Sequence, residues 1–392
     1  MIPGIGLIGS RQVAAFVAVW LFLSAQNRAV LADNLVYETP DGRFTAEGRL
    51  AARSDVEVLF LGRDGRMHLV PTNRVVELTE KPEKPKPFTK EEMIDELRRE
   101  FGSGFRVFSS NRYVICYSCD TDFARSCSRL FERLHGAFTN YFKTAGFQIQ
   151  PNEYPLVGIV FGDEQDFLTY ATRELGEDMA RNVIGYYSFP TNRIVLYDMQ
   201  ARAGRAGLGN VRPKVQPGQR GIDGFAAANI ATVIHEATHQ LAYNCGFHQR
   251  FSDNPLWLAE GMGMFFEAPN RNAADWSKIG EVNRPRLELF RERHFGPAAE
   301  RVDLRALIRD DEQLRNKQTA LAAYADSWAL TYFLIKTKRE HFFDYLKILA
   351  QKPPLAQDSP DQRLADFQSA FGNDIDQLEQ DFVRYMRSLP VR

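Results

Sequence analysis

An α+β fold, with a small N-terminal β-barrel module ahead of a larger domain of mixed sheet and helices, is predicted by three observations. Between residues 33 and 80, short strand-like runs are separated by Asp-Gly turn signals. Residues 81–88, Lys-Pro-Glu-Lys-Pro-Lys-Pro-Phe, place three prolines in a row of eight, which stiffens a linker and forbids ladder pairing. Beyond them strand and helix patterns alternate to about residue 200, and from residue 221 the periodicity is helical throughout. A chain of 392 residues, 44% hydrophobic and 25% charged, can bury a sizeable core, which excludes disorder and fibrous architectures. With 49 basic against 50 acidic side chains it is not built to coat nucleic acid.

Residues 1–32 stand outside this fold. Arg11, the apolar stretch Val13 to Leu23 and Val30-Leu31-Ala32 before Asp33 read as a secretory signal peptide, with an uncleaved anchor as the alternative. No apolar run reaches the ~18 residues of a stable membrane span. The expected location is therefore secreted, periplasmic or cell-envelope. Export permits disulfides, and Cys116, Cys119, Cys127 and Cys245 allow three full pairings. A structural disulfide or a buried thiol is expected of them. Cys116-Tyr-Ser-Cys119 lacks the second ligand pair of a zinc knuckle, and it ends a strand-like run where a redox motif would open a helix.

In residues 33–80 the segments Tyr37–Phe44, Ala46–Ala52, Val56–Leu61 and His68–Leu78 read as strands, turned at Asp41-Gly42 and Asp64-Gly65. This pattern resembles the SH3-like modules of eukaryotic adaptors and of some secreted bacterial proteins, which implies a peptide or cell-envelope ligand. A β appendage without its own function fits equally. The larger domain, residues 89–392, opens with an α/β part to residue 200. It comprises a helix over Thr89–Phe101, a strand over Arg106–Cys116 and a long amphipathic helix over Asp120–Ala145. A strand at Leu156–Phe161, a helix near Glu164–Glu174 and a hairpin of Val183–Phe189 with Arg193–Tyr197 complete it. Residues 201–220, rich in Gly, Arg, Pro and Gln, read as a mobile loop, and residues 221–392 as a helical part.

The chemistry concentrates in that helical part. His235-Glu236-Ala237-Thr238-His239 is an HExxH pattern inside a helix of about Gly224–Asn244. Four residues advance a helix by about 400°, so His235 and His239 share one face and can hold one Zn²⁺, with Glu236 alongside as general base. With only seven histidines in the chain, such spacing seldom arises by accident. A catalytic zinc takes three protein ligands and keeps a fourth position open. Glu260 follows His239 by twenty-one residues, in a helix that Pro255 can start after the loop 246–254. A helix, a turn and an antiparallel helix would return it to the imidazole face. Glu267, seven residues on, is the reserve ligand.

His235-Glu236-x-x-His239 with Trp257-Leu258-Ala259-Glu260-Gly261 resembles the gluzincin zinc metallopeptidases, the clan of thermolysin and aminopeptidase N, and the WL-x-EG signature resembles the aminopeptidase N side. More closely still, the chain resembles an uncharacterised peptidase-MA-like family of secreted bacterial proteins. The strong likeness covers residues 231–267. A looser one runs from about residue 105 to the end and includes Phe371-Gly372-Asn373 through Leu378-Glu379. The resemblance implies a zincin-like domain, with a mixed sheet over the HExxH helix and a helical C-terminal lobe, acting on a peptide or protein substrate.

It also implies an oxyanion-stabilising tyrosine. Ala323-Tyr324-Ala325-Asp326-Ser327 matches the Y-[ED]-K-G-A context at Tyr324 but lacks its Lys-Gly, so a core tyrosine is the competing reading. His248 and His294 are alternative donors. No GxMEN strand is present to grip a free amine. Gly185-Tyr186-Tyr187-Ser188 can align a substrate but supplies no carboxylate, which favours an endopeptidase over an aminopeptidase. Met264 stands where thermolysin-like enzymes carry an aspartate, so the zinc-bound imidazoles need another acid behind them, for which Asp326 is a candidate. The rival from another class is an inactive zinc-binding protein of the cell envelope. The presence of Glu236, for which a structural zinc has no use, leans against it.

Overall fold

The computed structural model describes residues 32–81, 85–198, 227–267 and 279–390. The signal-peptide reading, apart from its last residue, and the loop 201–220 lie outside the described residues.

The first strands form one antiparallel sheet: β1 (Ala32–Thr39), β2 (Gly42–Arg53), β3 (Glu57–Gly62), β4 (Met67–Pro71) and β5 (Val75–Lys81), in the order β4-β3-β2-β1-β5. The turn signals act as expected. Gly42 and Gly65 both have positive φ, +120° and +81°, conformations that glycine adopts without steric cost. The expected barrel closure is not found: among the described residues β4 and β5 do not pair, and the sheet stays open around the small core of Leu35, Ala46, Phe60 and Val70. The free edge of β4 is used differently. Met67 donates its backbone N–H to the carbonyl of Pro190, 2.6 Å away in a hairpin turn of the second sheet's last two strands.

The larger domain begins with α1 (Lys90–Phe101), capped by Thr89 and Glu92 in a reciprocal capping box. The strand expected over 106–116 is a hairpin, β6 (Arg106–Ser109) and β7 (Tyr113–Tyr117). The Glu132 side chain holds its turn by accepting from the Ser110 hydroxyl and the Arg112 N–H, a long-range partner that local patterning cannot reveal. There follow α2 (Thr121–Thr144), β8 (Leu156–Phe161), α3 (Glu164–Leu175), α4 (Glu177–Ala180), β9 (Gly185–Ser188) and β10 (Arg193–Tyr197). The second sheet runs β6-β7-β8-β10-β9, parallel at β7/β8 and β8/β10 and antiparallel at both ends.

Its central strands are apolar on both faces because helices cover both. Tyr113, Ile115 and Leu156 face one way, onto Leu130, Phe131 and Leu134 of α2 and Ile234 and Leu241 of the next helix, α5 (Ala227–Asn244). Val114, Cys116, Val157 and Ile159 face the other way, onto Met93 and Leu97 of α1 and Phe167 of α3. Of the apolar stripe that helical spacing predicts on α2, Cys127, Leu130, Leu134, Phe138 and Phe142 are buried and Phe123 is partly buried, and Phe131 joins them in the core.

After α5 the described chain is helical: α6 (Leu256–Glu267), α7 (Arg284–Phe295), α8 (Leu304–Arg309), α9 (Glu312–Arg315), α10 (Ala320–Thr337), α11 (Arg339–Ala350), α12 (Pro360–Phe371) and α13 (Ile375–Ser388). None is long and apolar enough to cross a membrane. The four cysteines are buried free thiols, and burial pushes Cys116, Cys119 and Cys245 up to about 12, which leaves them unreactive.

The two sheets are tied together at the β9–β10 turn. Arg250, buried beyond the end of α5, donates to the Phe189 carbonyl at 3.0 Å and to the Gly65 carbonyl at 2.9 Å. Glu100 takes both guanidinium nitrogens of buried Arg193 at 2.7 and 2.8 Å and also pairs with Arg66 of the first sheet.

Candidate metal centre

Helix α5 is pinned under the second sheet by Gln240, whose amide donates to the carbonyls of Val157 at 3.1 Å and Asn192 at 2.8 Å. Asn192, in the left-handed region at φ 59°, exchanges two amide hydrogen bonds with Asn244 at the end of α5 and accepts the Tyr187 hydroxyl. These bonds fix the hairpin that carries the edge strand β9 against α5, where Tyr187 meets Glu236.

Helix α6 comes equally close on the other side. Gly263 lets it approach α5: a Cβ there would lie 2.6 Å from Cε1 of His235. Gly261 does the same toward α10, where a Cβ would lie 2.6 Å from the Ser327 carbonyl. Two glycines inside a helix cost stability, roughly 1 kcal/mol each relative to alanine, and the contacts account for that cost. Glu260 and Glu267, two turns apart, then fall on the stripe that faces α5.

The result is a closed cluster. His235, His239 and Glu260 are 0, 2 and 0% exposed, and one ligand atom from each lies within 4.8 Å of the others. His235 Nε2 stands 3.1 Å from Glu260 Oε2, and His239 Nε2 stands 3.7 Å from Glu260 Oε1. Ligands on a tetrahedral zinc at about 2.0–2.1 Å would lie roughly 3.3 Å apart, so these separations bracket what the ion requires. His239 Nε2 and Glu260 Oε1 are buried without any hydrogen-bond partner, as is Glu236 Oε1 beside them. Buried polar atoms are rarely left so, and three together, all able to face one cation, fit a metal ion.

Glu267 settles behind His235. Its carboxylate meets Nδ1 at 2.5 Å, on the far side of the ring from the cluster, and Asn283, the cap of α7, reaches its other oxygen at 3.4 Å. The residue held in reserve as a ligand is therefore the acid that orients one, in the carboxylate–histidine arrangement common to metal sites. Asp326 does not fill that place. It pairs with His294 Nε2 at 2.9 Å and Arg293 at 2.7 Å, a polar group that also engages His294 through the Glu300 carbonyl.

The electrostatics favour a cation. Burial acts to lower the His235 pKa, but the Glu260 and Glu267 carboxylates outweigh it and lift the imidazole to about 10. The same burial, with the charge of His235 and then of His248, pushes His239 well below its ordinary value, so it presents a neutral ring. Glu236 rises to about 8, first from burial and also from the Glu260 charge. Its Oε2 accepts the Tyr187 N–H from β9 at 2.8 Å, which leaves Oε1 turned free.

Tyr324 of α10 is brought to the same place. Burial, then the charges of Glu260 and Glu236, raise its phenol far above the ordinary range, so it stays a hydroxyl donor. His248 is buried with both ring nitrogens unpartnered and packs on Tyr243, but it is not one of the clustered ligands. Sequence reasoning missed the Tyr187 N–H, Asn283 and Arg286, although the glycine pair within α6 was a visible sign of close helix approach.

Residues 229–356 match a known sequence family. It is described as a protein of unknown function, DUF1570, and the match runs from the start of α5 to just past α11, so it takes in every residue of the cluster as well as Asn283, Arg286 and Tyr324. No curated protein matches the chain.

Proposed function

We propose that this chain is a zinc-dependent peptidase, an endopeptidase rather than an aminopeptidase, that hydrolyses peptide or protein substrates from a secreted, periplasmic or cell-envelope location. The observation that carries the reading is Glu236. It is no ligand, yet it is buried beside the ligands, fixed through one oxygen by Tyr187 and left with the other unsatisfied. A metal that only braced a fold would leave that carboxylate as an uncompensated cost.

His235, His239 and Glu260 would hold the zinc, which when bound supplies Lewis-acid polarisation of a carbonyl and of water. Glu236 Oε1 accepts the proton of the attacking water and passes it to the leaving amine. The Tyr324 hydroxyl donates to the carbonyl oxygen as negative charge develops on it. Glu267, bonded to Nδ1 of His235, keeps Nε2 of that ring directed into the cluster. β9 lies at the edge of the second sheet, where its backbone would align an extended substrate, and its own residues, Gly185–Ser188, supply no carboxylate to select a free amine. Export rests on the character of residues 1–32, and the N-terminal sequence of the mature chain tests it.

The deciding experiment is hydrolysis of a broad quenched-peptide library by the wild type and by Glu236→Gln, with zinc measured in both. Cleavage by the wild type alone, at equal zinc, is expected. Equal zinc with no cleavage by either protein would favour a cell-envelope binding protein, with the N-terminal sheet as its ligand-binding part.

A further inference from the structure

Every acid of the centre has a task. Glu260 belongs to the metal cluster, Glu267 holds His235, and Glu236 is bonded to Tyr187. The cation beside them does not. Arg286, in the first turn of α7, is only 8% exposed, and its guanidinium carbon lies 6.0 Å from the centre of the Tyr324 ring. Its backbone N–H is tied to Asn283, the residue whose amide also reaches Glu267, so the turn that carries it is fixed to the centre. Among the described residues its guanidinium has neither a hydrogen bond nor an ion pair. A buried guanidinium without a directly bonded anion is expensive to keep, and its planar fork is shaped for a carboxylate. Among the described residues of this cleft, the guanidinium is thus the charged group that lacks a direct partner.

Resting on the peptidase reading, we infer that Arg286 is a substrate-binding residue that takes a carboxylate of the bound peptide, beside Tyr324 and the metal cluster. Two sources supply that group: the free C-terminus of the substrate or an acidic side chain near the scissile bond. The first would make the enzyme act close to chain ends; the second would make it select acidic sequences.

The test is binding, measured by calorimetry on the full chain carrying Glu236→Gln and loaded with zinc. The probes are acetyl-Leu-Ala-Phe-Ala-Leu as the free acid, the same peptide as its C-terminal amide, and amides with a single Asp scanned through the sequence. The free acid, or one of the Asp-bearing amides, is expected to bind roughly ten- to a hundredfold more tightly than the neutral amide, as a charge-assisted pair allows. Which of them does so identifies the source of the carboxylate. Adding Arg286→Met, which keeps an apolar stem against Tyr324, should erase the preference while zinc content stays stoichiometric.

Equal binding of all probes overturns the inference without any change at Arg286, and so does a preference that survives Arg286→Met. Cleavage of the same peptides by wild-type protein is scored separately. A carboxylate preference without cleavage sinks the peptidase reading and leaves the anion site standing. Cleavage without a preference does the reverse.

Discussion

Replacing Glu267 separates a residue that orients a ligand from one that is a ligand. In the structure it lies 2.5 Å from Nδ1 of His235, while Glu260 faces the opposite nitrogen of that ring. Glu267→Gln keeps an acceptor at the same reach but removes the charge that holds the imidazole proton on Nδ1. Glu267→Ala removes both and frees the ring to turn. Partners of this kind are worth about 10–100-fold in metal affinity, or roughly 1.4–2.8 kcal/mol. The glutamine variant should sit near the lower figure and the alanine variant near the upper. Zinc affinity measured by competition with a chromogenic chelator reads the difference, with His239→Ala as the reference for loss of a ligand. Both Glu267 variants should still bind one zinc at saturation. If Glu267→Ala failed to bind stoichiometric zinc, as His239→Ala should, Glu267 would be a ligand; unchanged affinity would leave it no role behind His235.

Gly263→Ala forces a methyl against the His235 ring, and overpacking of this kind costs about 1–3 kcal/mol. A lower melting temperature together with weaker zinc binding is expected, and no change in either would contradict the close approach of α6 to α5. Tyr324→Phe should retain zinc and slow peptide turnover by about 10²–10³, the loss typical of one oxyanion donor. An unaltered rate would return that residue to the core. His294 gives a pH signature away from the centre. Burial acts to lower its pKa, but the bond to Asp326 outweighs it and holds the folded value above the ordinary one. Its contribution to stability is therefore complete below about pH 6.5 and declines as pH rises through the raised folded value. Asp326→Asn should flatten that part of a urea-midpoint profile; a profile indifferent to this change would refute the pairing.

How legible the centre was in the sequence follows from the range of each interaction. His235, Glu236 and His239 sit within five residues on one helix, so spacing alone declares them. Glu260 needed a second helix folded back upon the first, and Pro255 together with the loop before it announced the reversal. Glu267 was noticed but given another part, because a stripe two turns long places two carboxylates on one face without saying which nitrogen each will meet. The Tyr187 N–H left no mark at all, since a backbone donor carries no residue identity and depends on how β9 hangs from Asn192. The α+β class was readable throughout, from periodicity that switches between two and 3.6 residues. The hairpin hidden in 106–117 and the open edge of β4 were not, as both are decided by partners far along the chain: Glu132 in one case and Pro190 in the other.

The junction at that open edge bears on how the molecule comes apart. Arg250 grips one carbonyl in each sheet, Met67 bonds directly across, and the Arg66–Glu100–Arg193 series runs beneath them. The small first sheet has four residues in its own buried cluster, too few to hold its shape alone, and it borrows order from the hairpin it grips. The hairpin in turn suspends Tyr187 over Glu236. Heat absorbed by the whole chain should accordingly register as one calorimetric peak spanning both sheets, and a chain cut at the proline-rich connector would surrender the rigidity of the Glu236 carboxylate together with the strands it lost.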